Sequence, residues 1–370
     1  MQRSKVYITR LFVLLTLSYG FLYFSYKWLD PTLHSDFIPY YKMYLKPLDF
    51  TVAPAPYIYR QINAVCVHML WRMHVYYPNQ IMFSNVHYDQ HIVFAALATN
   101  YFALVGAAFL TTLLMDDRLK TYGPLPLLSG LLCFFTFQLQ ETLITGMSDG
   151  VSWALFAICY LFYTRKNTFW FCIAITFSIL QREILPLAFV AFAFVQATTT
   201  ILATRDKSVW DKRLRFYAIA GGWSALTFAG YLLFRTLVVP VDGFEGQMRL
   251  RSQLGALTHF HLTRPFVFQV LISQNLLVLF LGACWVLYRR AKEYDPMLLP
   301  IAAAWVGLFA LGVISNIGNN VGRITAFLTP AIVVEMSLIV IRLQVASRHP
   351  DKCMKHVKPM PELILSPIHQ

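Results

Sequence analysis

Residues 34–41 read HSDFIPYY and set one carboxylate, Asp36, beside a histidine and ahead of paired tyrosines, just after the first long apolar run. A carboxylate within about 3 Å of a hydroxyl can take its proton as a new bond forms at that oxygen. Between later apolar runs stand Arg60, Arg182, Arg249, Arg251, Arg264 and Arg323. Guanidinium is planar and always charged, and its fork offers two parallel hydrogen bonds to a phosphate. A lone acid with several guanidiniums is equipment for proton abstraction beside an anionic group. Whether these residues meet depends on the elements that carry them.

Those elements are apolar. Of 370 residues, 57% are hydrophobic, 16% aromatic and 13% charged, roughly half the charge of a soluble domain. The apolar residues fall in continuous blocks close to the ~20 residues that span a bilayer, whereas barrel strands would alternate over about ten. The expected fold is all-α: a polytopic transmembrane helical bundle of about 10 spans. These lie near 9–29, 90–115, 123–140, 149–163, 168–181, 184–204, 216–238, 266–288, 297–315 and 324–342. The segment 57–76 is broken by Arg60, His68, Arg72 and His74, which fits an amphipathic helix lying at the interface in the first external loop. The opening run, LFVLLTLSYGFLYFSYKWL, is too long and aromatic for a cleaved signal and reads as a retained first helix. The six cysteines show no CxxC spacing and mostly sit in apolar runs, so neither a disulfide framework nor a zinc site is expected. No GxGxxG, P-loop or HExxH pattern occurs.

Charge sets the expected topology. With the N-terminus in the cytoplasm, the inside segments hold 20 of the 31 basic residues, as loops on that side should. The net charge of +13 then reflects membrane orientation, and no nucleic-acid partner is expected. Residues 1–343 form one integral-membrane domain with a first external loop at about 30–89, and 344–370 form a basic, flexible cytoplasmic tail.

On the outer face, polar residues collect in five places. The first loop holds Asp36, Tyr40, Tyr41, Arg60, His87 and Asp89; the second turn, Gln140, Glu141 and Asp149; the third, Gln181, Arg182 and Glu183. A fourth loop brings Asp242, Glu245, Arg249, Arg251, His259, His261 and Arg264, and the last ends at Arg323. Charges beside a membrane are costly unless paired or lining a wet cavity, and a shared polar cavity with an anionic ligand accounts for outer arginines. Blander readings stand beside this one. Asp36 serves equally well as a helix cap, Arg182 and Glu183 as a self-neutralising pair, and Arg249 and Arg251 as residues reaching lipid headgroups. Glu335, inside the last span, suits a buried carboxylate satisfied by a neighbouring helix.

SDFIPYYKMYL, followed by APYIYRQINAV, resembles the first external loop of GT-C glycosyltransferases, polytopic enzymes that use polyprenyl-phosphate sugars. Asp36 and Tyr40 match the D-x-x-x-Y element of that superfamily, and Tyr57, Tyr59 and Arg60 its downstream Y-x-Y/R segment. SDG (148–150) and QRE (181–183) stand where those enzymes carry acidic and basic–acidic turns, and Arg323 is similar to their arginine near the lipid phosphate. The resemblance implies a GT-C-like bundle and an inverting glycosyltransferase of mannosyl- or arabinosyltransferase type. It implies Asp36 as catalytic base, Arg323, Arg182 and Arg60 as phosphate ligands, and Tyr40, Tyr59, Glu141, Asp149, Glu183 and His34 as substrate contacts. The partners implied are a polyprenyl-phosphate sugar donor, a glycan or lipid acceptor and the bilayer. His34 and Ser35 precede Asp36 where relatives carry a second acid. One carboxylate is a thin ligand set, so no metal ligand is assigned and a divalent metal cofactor stays open.

Two rivals use similar residues. A transporter or flippase of a lipid-linked saccharide would place its site near the midplane, often between repeats, but here the charges lie toward one end and no repeat is evident. An O-antigen polymerase or ligase would carry its large external loop late in the chain, while here the longest is the first. A bacterial inner membrane is the expected location, with both termini cytoplasmic, the site external, and the endoplasmic reticulum as the alternative.

Overall fold

The computed structural model describes residues 2–28, 37–53, 57–74, 88–119, 123–134, 149–203, 207–237, 275–314 and 325–348. His34, Asp36, Glu141 and Arg323 lie outside these, as do His87, the loop from Asp242 to Arg264 and residues 349–370.

Among the described residues the regular structure is helical. The helices are α1 (Gln2–Trp28), α2 (Phe37–Leu45), α3 (Gln61–Arg72), α4 (Gln90–Leu119), α5 (Pro124–Leu132), α6 (Asp149–Thr164), α7 (Thr168–Ser178), α8 (Leu185–Ala203), α9 (Lys207–Leu237), α10 (Asn275–Ala291), α11 (Leu298–Ile314) and α12 (Thr329–Arg348), with a single 3-10 turn at Tyr57–Tyr59. A helix occupies part of each of the ten expected apolar runs. Among the described residues, four stretches are long and apolar enough to cross a membrane: Ser4–Tyr26, Gln90–Leu119, Leu185–Leu202 and Arg213–Leu237. The nine residues of α5 rise only about 14 Å. The chain therefore has the make-up of an integral-membrane helical bundle.

Helix α4 is its axis. Of its most apolar stretch 72% is buried, against 22% in α1 and in α9. It packs on α1, α3, α5, α6 and α12. Its buried face alternates alanines (Ala95, Ala96, Ala107, Ala108) with larger residues, and small side chains let helices approach closely where no water drives them together. At Gly150 the approach is close: an added Cβ would lie 2.7 Å from Asn100 Oδ1 and 2.9 Å from the Asn100 carbonyl oxygen, and at Gly130 of α5 one would lie 2.8 Å from the Ala108 carbonyl oxygen. Conversely, α1 and α9 turn Phe12, Leu17, Leu226, Leu233 and Leu237 outward, each more than 60% exposed, the surface a lipid environment covers. Phe156, Tyr163, Phe171, Phe189, Phe192 and Phe216 fill the space between α6, α7, α8 and α9 with tilted and edge-to-face rings.

One end of the bundle is fastened by ions. Three consecutive residues of α4 each hold a different helix: Asp116 pairs with Arg10 of α1, Asp117 with Arg165 after α6 (2.7 Å), and Arg118 with Glu335 of α12 (3.5 Å). Glu335 also accepts from the Tyr160 hydroxyl at 3.2 Å, so this buried carboxylate is satisfied by neighbouring helices as expected. Arg342 pairs with Asp295 at 3.1 Å. Asp295 lies in the turn before α11, where burial raises its pKa against the opposing pull of Arg342.

Candidate functional site

The other end is organised by the turn at 179–184, between α7 and α8, against which α3 arrives N-terminus first. The leading N–H groups of a helix have no partner within it, and Arg60 at the N-cap offers no side-chain cap. The turn supplies partners instead: Ile62 N–H donates to the Leu180 carbonyl at 3.2 Å, and Asn63 N–H to Gln181 Oε1 at 2.9 Å. Asn63 Nδ2 donates to the Tyr44 hydroxyl at 3.0 Å, and Gln181 Nε2 to Ser152 Oγ at 3.4 Å. On the far side of α6, Gly150 N–H donates to Asn100 Oδ1 at 3.0 Å. Amides thus tie α2, α3, α4, α6 and the turn into one support. Gln61 extends it: its Oε1 accepts from Leu48 N–H at 2.8 Å, holding Leu48 at φ 65°, a conformation unfavourable for a side chain with a Cβ.

On this support the charged residues pair crosswise. Arg182 Nη1 lies 3.0 Å from Asp149 Oδ1, and Arg60 Nη2 lies 3.9 Å from Glu183 Oε1. Arg60 Nη1 also donates to the Tyr40 hydroxyl. The expectation that Arg182 and Glu183 neutralise one another is thereby corrected. Neighbours in sequence diverge in direction, and each turns to a residue from another segment. The outer pair, Arg60 and Glu183, keeps 12% and 21% of its side-chain surface, while Arg182 and Asp149 keep 7% and 5%. Burial lowers the pKa of Arg60, but Tyr40 and Glu183 outweigh it and hold the group above the ordinary arginine value. At Arg182 burial prevails over Asp149, and the neighbouring Arg60 charge adds to it, so the pKa falls below the ordinary value. Arg60 Nε and Asn63 Oδ1 are buried without a hydrogen-bond partner among the described residues.

Aromatic rings frame the cluster. Tyr40 meets Tyr57 edge-on at 5.3 Å and lies parallel to Tyr44 at 6.3 Å. Tyr59, 2% exposed, meets Tyr231 at 5.7 Å and Phe234 at 6.0 Å. The Arg235 guanidinium stands 5.4 Å from the Tyr59 ring centre and 5.6 Å from that of Tyr231.

Eight of the residues singled out from sequence meet here: Tyr40, Tyr57, Tyr59, Arg60, Asp149, Gln181, Arg182 and Glu183. Tyr44, Asn63, Asn100, Ser152 and Arg235 belong to the same assembly and had not been singled out. Arg235 had a signal, an arginine three residues from the end of a long apolar helix and one turn beyond Tyr231. Asn63 and Asn100 had a weaker one, an amide inside an apolar stretch. Among the described residues no three His, Cys, Asp or Glu side chains group closely enough to hold a metal ion. The described residues therefore offer no set of metal ligands. No family model matches this chain, and no curated protein matches it in sequence.

Proposed function

We propose that the protein is a GT-C-type membrane glycosyltransferase, moving a sugar from a polyprenyl-phosphate donor to a lipid- or glycan-linked acceptor with inversion at the anomeric carbon. The supporting observation is the convergence, at one end of an apolar bundle, of Arg60 and Arg182 with Glu183, Asp149 and the Tyr40 hydroxyl, with Arg235 beside them over the Tyr59 ring. Burial strengthens each interaction a phosphate would make with these guanidiniums.

In the reaction, the acceptor hydroxyl oxygen attacks the anomeric carbon while the carbon–oxygen bond to phosphate breaks. Its electron pair leaves with the polyprenyl phosphate, and the hydroxyl proton passes to the Asp36 carboxylate. Arg60, Arg182 and Arg323 meet the charge gathering on the leaving phosphate. Tyr40, Tyr59, Glu183, Asp149, Glu141 and His34 are assigned to the sugar and acceptor, with the buried Asp149 acting through Arg182. The clustering of Arg118, Lys166, Arg213, Arg289, Arg290 and Arg342 toward the opposite end supports an external site and cytoplasmic termini, with the bacterial inner membrane as location.

The test is reconstitution of the full chain in lipid nanodiscs with radiolabelled polyprenyl-phosphate sugars and membrane acceptor lipids. Transfer of label with release of polyprenyl phosphate is expected from the native protein, and Asp36→Asn should abolish it while leaving folding intact. Near-normal transfer by Asp36→Asn refutes the base. Movement of labelled lipid between leaflets without release of polyprenyl phosphate makes the protein a carrier instead.

A further inference from the structure

Where α6 gives way to α7 the sequence reads TRKN (164–167). The backbone closes α6 in a Schellman turn: Asn167 N–H donates to the Phe162 carbonyl at 3.0 Å and Lys166 N–H to the Tyr163 carbonyl at 3.1 Å. The central residue of such a turn takes the left-handed conformation and is usually glycine. Here it is Lys166, at φ 54°. Asn167 then caps α7, its side chain accepting from Trp170 N–H at 3.3 Å. Both helices therefore fix the point from which the Lys166 side chain departs.

That side chain reaches α9. The ammonium stands 5.9 Å from the centre of the Tyr217 ring, and Arg213 lies one turn before Tyr217 on the same helix face. Lys166 and Arg213 are both half-buried. Burial lowers the pKa of Lys166, and the charges of Arg213 and Arg118 push the same way. Arg118 is held by Glu335 and the adjacent Arg165 by Asp117. Among the described residues neither Lys166 nor Arg213 pairs with a carboxylate. Like charges brought together out of water are costly unless an anion joins them.

Two ordinary uses of a loop lysine do not account for this one. A cation at a helix C-terminus can serve the last carbonyls, but Leu161, Phe162 and Tyr163 already accept from the N–H groups of Arg165, Asn167 and Lys166. A lysine that only marks membrane orientation has no need to be half-buried beside other cations. The surroundings point to lipid. Arg213 opens the membrane-length apolar stretch Arg213–Leu237. Phe169 and Trp170, just past the turn, are 66% and 49% exposed, and Trp170 stacks on Phe162 at 6.2 Å. Exposed aromatic rings at the end of an apolar helix belong at headgroup depth.

We propose that Lys166 and Arg213 form a binding site for the headgroup phosphate of an anionic phospholipid, whose chains lie against Phe169, Trp170 and the outer face of α7. The Arg213 fork offers two parallel hydrogen bonds to phosphate oxygens and Lys166 a point charge. Basic pockets between membrane helices hold anionic headgroups by this chemistry. The site lies at the end opposite the Arg60–Arg182 cluster and does not depend on the transferase reading.

The experiment is equilibrium binding of dioleoyl phosphatidylglycerol or dioleoyl phosphatidylcholine to the detergent-purified full chain, read by native mass spectrometry, with thermal unfolding measured beside it. The native protein should favour phosphatidylglycerol about tenfold, since the chains are identical and only the net charge differs. Lys166→Gly and Arg213→Gln should each remove that preference and leave phosphatidylcholine binding as it was. Glycine suits the left-handed turn better than lysine, so the lipid-free unfolding midpoint of Lys166→Gly should equal or exceed the native one. Arg289→Gln, which removes an exposed charge from the end of α10, should leave the preference intact, and inorganic phosphate in excess should not displace the lipid. Equal binding of the two lipids by the native protein, or a preference retained in both folded variants, overturns the proposal. An equal loss in Arg289→Gln means diffuse surface charge and overturns it too. Displacement by inorganic phosphate assigns the cations to a free anion instead of a lipid. If Lys166→Gly fails to fold, Arg213→Gln decides the matter alone.

Discussion

The two ends of the bundle use the same residue types differently. At the end fastened by α4, Arg10, Arg165, Arg118 and Arg342 each face one carboxylate, Asp116, Asp117, Glu335 and Asp295. Each pair joins two elements. At the other end Arg60 and Arg182 pair with Glu183 and Asp149, Arg60 also donates to the Tyr40 hydroxyl, and Arg235 lies over the Tyr59 and Tyr231 rings. The first four pairs hold helices together. At the other end the arginines also meet a tyrosine hydroxyl and tyrosine rings, groups that a polar ligand can contact as well. The contrast separates structural ions from candidate functional ones without any comparison to a relative.

Substitution should expose the contrast, and the largest effect is expected at the end fastened by α4. Arg10→Leu strands Asp116, whose side chain is only 5% exposed, and also removes a donor to the Gly123 carbonyl at 3.1 Å. Removing one partner of a buried pair costs about 3–5 kcal/mol, while replacing both by apolar residues is often near neutral. Chemical unfolding in detergent should therefore show a large loss for Arg10→Leu and recovery of most of it in Arg10→Leu/Asp116→Leu. At the tyrosine-lined end the loss should move from stability to activity. Arg60→Gln is expected to lower kcat for sugar transfer about 10²–10³-fold, as for loss of one donor to a developing anion, with an unfolding midpoint close to native. If Arg60→Gln instead unfolds the protein as Arg10→Leu does, the two ends are alike and the distinction fails. Between these extremes, Gly150→Ala forces its methyl against Asn100 and should cost about 1–3 kcal/mol as an overpacked contact. Activity should fall with it, since Asp149 is displaced from Arg182, and a KM and kcat both at native values would show that the pair does not depend on that packing.

How far the sequence discloses this arrangement differs by level. The apolar runs predict where helices fall, because burial in lipid or in a helical core demands uninterrupted apolar residues. They predict boundaries less well. Helix α9 begins at Lys207, nine residues before the apolar run near 216, because KSVWDKRLR contains good helix formers that hydropathy does not register. In the run near 123–140 helix α5 covers Pro124–Leu132, and residues 135–140 lie outside the described ones. Sidedness in the charge pattern was enough to gather Tyr40, Arg60, Asp149, Arg182 and Glu183 into one group. Their pairing was not legible, because it depends on which way consecutive side chains of the 179–184 turn face. Arg235 escaped for a related reason: its proximity to Tyr59 is set by the rotation of α9 against a loop over 170 residues away in sequence. Asp36 and Arg323 lie outside the described residues, and their roles stand as proposals.

The smallest effect is also the sharpest check on what an ion pair means in this protein. Arg165 Nε and Asp117 Oδ2 are 2.7 Å apart, closer than Arg60 and Glu183 at 3.9 Å, yet both side chains of the first pair are 42% exposed. Distance alone would rank the exposed pair as the more important. Solvent screening reverses that ranking, since exposed pairs contribute about 0–1 kcal/mol once side-chain entropy and water are counted. Arg165→Ala is accordingly expected to lower stability by less than about 1 kcal/mol, and to leave transfer unchanged, with the small loss vanishing at high salt. A loss of several kcal/mol, insensitive to salt, would mean that the α4–α6 contact at this end is closed to water. Burial rather than the tyrosine partners would then have to explain why the two ends differ.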